Sequence, residues 1–233
     1  MGVPPVRLPA SGDLTSTAPG QGWLVCGWFT PDYRPRAERL AAGLARHGAP
    51  FHLREVAKLG GTWKREVMRK PAVVLEAIRA HPNSTIVFMD VDCEIRAPIE
   101  AAANIAADVS CFFNVKKRGR RQTGDVSSRV MVLRPTAGAA RLIEAWVAAC
   151  AEDPGAISDE PSLMVALARA AGSSWTALDP RFAGREVTAA PPGAAIVHDS
   201  AREDSSPLRR LNRRLKALRR SALGGGTRGL VHK

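Results

Sequence analysis

The chain has 233 residues, 45% hydrophobic and 24% charged, which are the proportions of a folded globular protein and exclude a disordered or fibrous one. Of the formal net charge of +12, residues 201–233 supply +8, ten Lys and Arg against Glu203 and Asp204, which leaves +4 for residues 1–200. Four scattered cysteines (Cys26, Cys93, Cys111 and Cys150) with no C-x-x-C pair exclude a zinc-finger set and fit a reducing compartment. No run approaches the ~18 apolar residues of a membrane span, and MGVPPVRLPASGDL lacks the apolar segment of a secretory signal, so a cytoplasmic protein is expected.

Residues 1–21, rich in Pro, Gly, Ser and Thr, read as a flexible leader. Residues 23–30 then form a strand that ends before Pro31. Leu40, Ala41 and Leu44 share one face of a helix over 35–47, stopped by Gly48. A second strand is expected over 51–56, and a helix over 70–80 with Pro71 near its start. The strongest strand signal is the apolar run Thr85-Ile-Val-Phe-Met89, which predicts a central strand covered on both faces. Further strands are predicted at 108–113, 129–134 and 194–198, and helices at 137–150 and 160–171. Residues 116–126 read as a polar, basic break between strands. The alternation predicts one α/β domain over 22–200, Rossmann-like, with a mainly parallel central sheet flanked by helices. Leu208, Leu211, Leu215 and Leu218 recur among Arg and Lys in the segment 201–233, a basic amphipathic tail.

The informative residues are Asp90 and Asp92, two carboxylates one residue apart at the tip of the apolar run. The carboxyl ends of strands are where open α/β sheets bind ligands. Magnesium and manganese favour carboxylate oxygens and often share their coordination with substrate phosphates. Placing two anions at the end of a buried strand is costly unless a cation or hydrogen bonds offset their repulsion.

The series WLVCGWFTPDY, GTWKREVMRKPAVVLEAIRAHP and IVFMDVDCEIRAPIE resembles the GT-A nucleotide-diphospho-sugar transferases, the D-x-D glycosyltransferases. SSRVMVLRPTAGAARLIEAWVAA, DEPSLMVAL and IVHDS follow in the order that the family shows, so the resemblance covers roughly residues 23–200. It implies that Asp90 and Asp92 hold Mn2+ or Mg2+ against the donor's diphosphate, Asp90 with a contact to the nucleotide ribose as well, and that His198 supplies a further metal ligand. Lys70 would neutralise the diphosphate. Gly27, Trp28, Phe29 and Thr30 would lie against the nucleotide. Asp159 and Glu160 would begin a helix facing the acceptor, where one acts on the sugar. Ser127-Ser128 stand where the family leads one to expect a glycine-containing turn.

The expected reaction is transfer of a sugar from a nucleoside-diphosphate sugar (UDP- or GDP-linked) to a hydroxyl of a glycan or lipid-linked acceptor, with residues 206–220 attaching the enzyme to an anionic membrane face. Two alternatives use the same features: a haloacid-dehalogenase-type phosphatase built on the Asp pair, and a non-catalytic module that binds through its basic tail. Nucleic acid is not an expected partner, because the tail lacks interleaved aromatics.

Overall fold

The computed structural model describes residues 11–17, 20–60, 63–118, 121–153, 155–156, 158–183 and 193–198. The basic tail and the first ten residues lie outside them, and with them the expectations for that tail. The first strand, β1 (Leu14–Ser16), falls within the segment expected to be a loose leader, and its three residues are too few to show a period. It pairs antiparallel with β3 (Phe51–Glu55), and Leu14 is fully buried. Strand β2 (Trp23–Phe29) runs into helix α1 (Arg34–Arg46). Gly48, at φ +66°, closes that helix: its N–H bonds to Ala45 O, and the N–H of Ala49 bonds to Leu44 O. Only a residue that tolerates the left-handed region can turn the chain this sharply towards β3.

A short helix α2 (Trp63–Met68), not expected from the sequence, precedes α3 (Lys70–Ala80) and β4 (Thr85–Met89). Two strands follow, β5 (Cys93–Ile95) and β6 (Val109–Arg118). Strand β7 (Arg121–Leu133) completes a hairpin with β6, so the polar stretch 116–126, read as a break, is largely strand. Basic and polar residues at a hairpin end need no apolar alternation, which is why the pattern hid it. The chain ends its described part with α4 (Ala137–Glu152), α5 (Glu160–Arg169), β8 (Trp175–Ala177) and β9 (Ile196–His198).

The main sheet has the order β1-β3-β2-β4-β7-β6-β8. Strands β3, β2 and β4 are parallel, and β6 is parallel to β8; β1/β3, β4/β7 and β7/β6 are antiparallel. The α/β architecture expected from the sequence is present, with its parallel strands gathered around β4. Strand alternation divides β4 between two cores. Val87 and Met89 pack on the side of α1, whereas Ile86 and Phe88 face α3, α4 and α5. Cover on both faces explains why that run is apolar throughout.

Candidate active site

Beyond Met89 the chain leaves the main sheet. The N–H of Asp90 still bonds to Arg129 O at 2.9 Å, but β5 then turns away to form a separate two-stranded sheet with β9, in which Cys93 pairs with His198. That pairing sets His198 beside the acidic pair. Its Nε2 lies 2.9 Å from Asp92 Oδ1, and ligand atoms of Asp90, Asp92 and His198 all fall within 4.8 Å of one another. Each of the three side chains offers one ligand atom, so together they could hold one divalent cation. The set of two carboxylates and one imidazole fits as well.

Lys70, at the start of α3, is 5% exposed. Its Nζ lies 2.8 Å from Asp90 Oδ1, donates to Ser128 Oγ at 3.2 Å and stands 3.9 Å from Asp159 Oδ2. Burial alone would depress the ammonium's pKa. Asp159 and Asp90 more than reverse that and leave it above its ordinary value. Lys70 is therefore paired with carboxylates of the protein. Burial raises the pKa of Asp90, with Lys70 opposing.

Asp159 stands at the N-cap of α5, yet its side chain does not cap the helix. It accepts instead from Ser128 Oγ at 2.6 Å, and its carbonyl accepts from Trp146 Nε1 at 3.0 Å. Both Asp159 and Ser128 are buried. Glu160 is half-buried and adds its charge to the field at Lys70.

The expected glycine-containing turn at Ser127-Ser128 is absent; these residues belong to β7. Cys111 pairs with Met131 and the next residue, Phe112, with Ser127, so Ser128, Arg129 and Val130 have no counterpart on β6. Such a bulge re-aims side chains, and bulges are frequent beside active sites. Here it sends Ser128 to Lys70 and Asp159. No motif in the sequence marks Ser128 or Arg129 as functional. The signal lay in two serines inside VSSRVMVL, polar groups in a buried strand that must find partners.

Gly27 lies beside the end of β4: a Cβ on it would come 2.8 Å from Met89 O. Trp28 is half-buried, under the Arg69 guanidinium at 5.7 Å. Phe29 is 1% exposed, packed within the core. Thr30 Oγ1 donates to Asp32 Oδ1 at 2.6 Å. Gly27 to Thr30 thus share the carboxyl edge of the parallel strands with Asp90 and Asp92.

Solved structures of similar shape bear on this geometry. A glycosyltransferase involved in the glycosylation of the major capsid of PBCV-1 superposes with a TM-score of 0.59 at 14% identity, over 83% of this chain and 98% of that one. The fold is one that glycosyltransferases use. The glycosyltransferase GlyE of Streptococcus pneumoniae TIGR4 matches with a TM-score of 0.51 at 12% identity, over 79% of this chain but only 57% of GlyE. The galactosyltransferase LgtC, solved with donor and acceptor sugar analogs, matches with a TM-score of 0.50 at 9% identity, over 78% of this chain and 87% of LgtC. No protein-family model and no curated protein matches the sequence. Among the described residues, no helix is long and apolar enough to cross a membrane.

Proposed function

We propose that the chain is a metal-dependent glycosyltransferase that moves a sugar from a nucleoside-diphosphate sugar to an acceptor hydroxyl. The observation that carries this reading is the Asp90–Asp92–His198 cluster at the carboxyl edge of a sheet whose fold glycosyltransferases share. The donor and acceptor sugar analogs in LgtC support a nucleotide-sugar donor and a glycan acceptor.

Asp90, Asp92 and His198 would hold the cation, and the imidazole weighs towards manganese over magnesium. Bound there, a divalent ion supplies Lewis-acid stabilisation of the charge that develops on a departing diphosphate. Lys70 fixes the orientation of Asp90 and balances Asp159, keeping the acidic site assembled. Asp159, held by Ser128, and Glu160 would face the transferred sugar or its acceptor. The backbone from Gly27 to Thr30, with the half-buried Trp28, would take the nucleotide. The basic tail would keep the enzyme at an anionic membrane face, near a lipid-linked or cell-envelope acceptor. Loss of liposome binding on deletion of residues 206–220 would support that last role, and unchanged binding would remove it.

Calorimetry of UDP and of GDP in the presence of MnCl2 tests the reading. At least one nucleotide should bind, and Asp92→Ala should abolish the binding. No binding by the wild type, or binding unchanged in Asp92→Ala, overturns it.

A further inference from the structure

Strand β7 outruns its neighbours. Residues 130–133 pair with β4, whereas 121–127 pair with β6 alone, from Arg118 opposite Arg121 to Phe112 opposite Ser127. Strand β8 meets β6 only at 109–111. Beyond the bulge, therefore, 112–118 and 121–127 form a two-stranded ribbon with no third strand among the described residues. Six residue steps at about 3.3 Å carry position 121 about 20 Å of strand past position 127. Because β7 runs antiparallel to β4, that direction leads outward from the carboxyl edge where Asp90 and Asp92 stand.

The outer pairs concentrate positive charge. Lys116 stands opposite Thr123, Lys117 opposite Gln122 and Arg118 opposite Arg121, while the acidic residue of the segment, Asp125, pairs further in with Asn114. Strand alternation and cross-strand pairing assign positions 116, 118 and 121 to one face. Two cations directly opposite each other destabilise a ladder, and a ribbon of only two strands is marginal in water. An anionic partner offsets that repulsion.

The donor diphosphate is not that partner. The innermost of these cations, Lys116, is registered with Thr123, about 13 Å of strand beyond position 127, and the Debye length at physiological ionic strength is about 8 Å. Residues 114–118 and 121–125 offer no aromatic ring on which a nucleic-acid base could stack. A broad anionic surface suits a row of cations that stands out from the sheet, and the segment 201–233, at +8, gives the same chain a second element for it.

From this placement we infer that the β6–β7 ribbon is a membrane-contact element: Lys116, Lys117, Arg118 and Arg121 rest on the phosphates of an anionic bilayer and hold the carboxyl edge of the sheet towards it. The consequence for the reaction, an acceptor borne on the membrane, rests on the transferase reading. The contact itself does not.

The test sediments the full-length protein with phosphatidylcholine vesicles, with and without about 30% phosphatidylglycerol, at low and at high salt. Wild type is compared with a variant carrying Lys116→Gln, Lys117→Gln, Arg118→Gln and Arg121→Gln together. The tail is present in both, so its contribution cancels. One Lys or Arg at an anionic surface changes partitioning about fivefold, so the fourfold variant should bind the anionic vesicles at least tenfold more weakly. The difference should shrink as salt rises. Its urea midpoint should be no lower than that of wild type, because an opposed pair of like charges is gone. Should it unfold, Arg121→Gln alone, with an expected loss of about fivefold, carries the test. Equal partitioning of the variant and wild type overturns the inference. So does a variant that keeps the vesicles and loses polygalacturonate or duplex DNA, which would assign the ribbon to a soluble polyanion. Since the vesicles carry no nucleotide, either failure is separate from a failure of UDP or GDP to bind with manganese.

Discussion

Lys70 Nζ stands 2.8 Å from Asp90 Oδ1, and the same ammonium group, through Ser128, is tied to Asp159 sixty-nine residues beyond Asp90. One buried cation thus joins the tip of the central strand to the start of α5. Removing it leaves the buried Asp159 and the half-buried Asp90 without their cation. Lys70→Met should cost about 3–5 kcal/mol of stability, read as a lower urea midpoint. An unchanged midpoint would show that the pair is solvated in solution.

Ser128 Oγ gives Asp159 its 2.6 Å hydrogen bond in a site closed to water. Ser128→Ala should therefore destabilise the fold by about 1–3 kcal/mol. If Asp159 serves the reaction, the same change should lower kcat for donor hydrolysis more than it raises KM, because the carboxylate loses its fixed orientation. Equal kinetics in the two proteins would separate Asp159 from the chemistry.

Gly27 sits where a Cβ would meet Met89 O at 2.8 Å and Leu53 Cδ2 at 3.2 Å. The first contact is with backbone of the central strand and cannot be relieved by a rotamer change. Gly27→Ala should cost about 1–3 kcal/mol, and the shift of β4 should weaken manganese binding as well. Urea unfolding and manganese titration of the variant read the two effects separately.

His198 reaches Asp92 only through the β5–β9 pairing. His198→Ala should weaken Mn2+ binding, measured by calorimetry, by more than the ~10–100-fold that loss of a group outside the coordination shell usually costs. Unfolding by urea should change little, since the imidazole is not part of either apolar core. Unchanged Mn2+ affinity would remove His198 from the ligand set.

At the far edge of the sheet His52 Nδ1 lies 3.0 Å from His81 Nε2, and His52 Nε2 lies 2.8 Å from Asp13 Oδ2. Burial, and secondarily the nearby His52, holds the pKa of His81 below its ordinary 6.5. The unfolded chain takes up a proton at His81 at a higher pH than the folded chain does, so stability is present above 6.5 and declines as pH falls through the interval below it. Urea midpoints should fall between about pH 7.5 and about pH 5.5, and His81→Gln should flatten that slope. A slope unaltered in His81→Gln would assign the decline to other groups.

Much of this was legible in the chain itself. The run Thr85-Ile-Val-Phe-Met89 announces a strand covered on both faces, and the carboxylates that end it stand out because they interrupt apolar neighbours, Met89, Val91 and Cys93. Pro71 and Gly48 mark helix boundaries through their own backbone restrictions. Three-residue strands such as β1, β5 and β8 left no trace, since two or three side chains cannot establish a period of two. The 116–126 segment misled for the opposite reason: a hairpin end held by backbone hydrogen bonds accepts polar side chains on either face.

The sequence alone determined the strand, the paired carboxylates at its tip and the order of elements around them, because those features depend on neighbours a few positions apart. Only the tertiary structure decided that Lys70 would pair with Asp90 and Asp159, that His198 would meet Asp92, and that a bulge would aim Ser128 at Lys70 and Asp159. Each of those outcomes rests on charge pairing or strand register between residues far apart in the chain, and neither is written in any local pattern of residues.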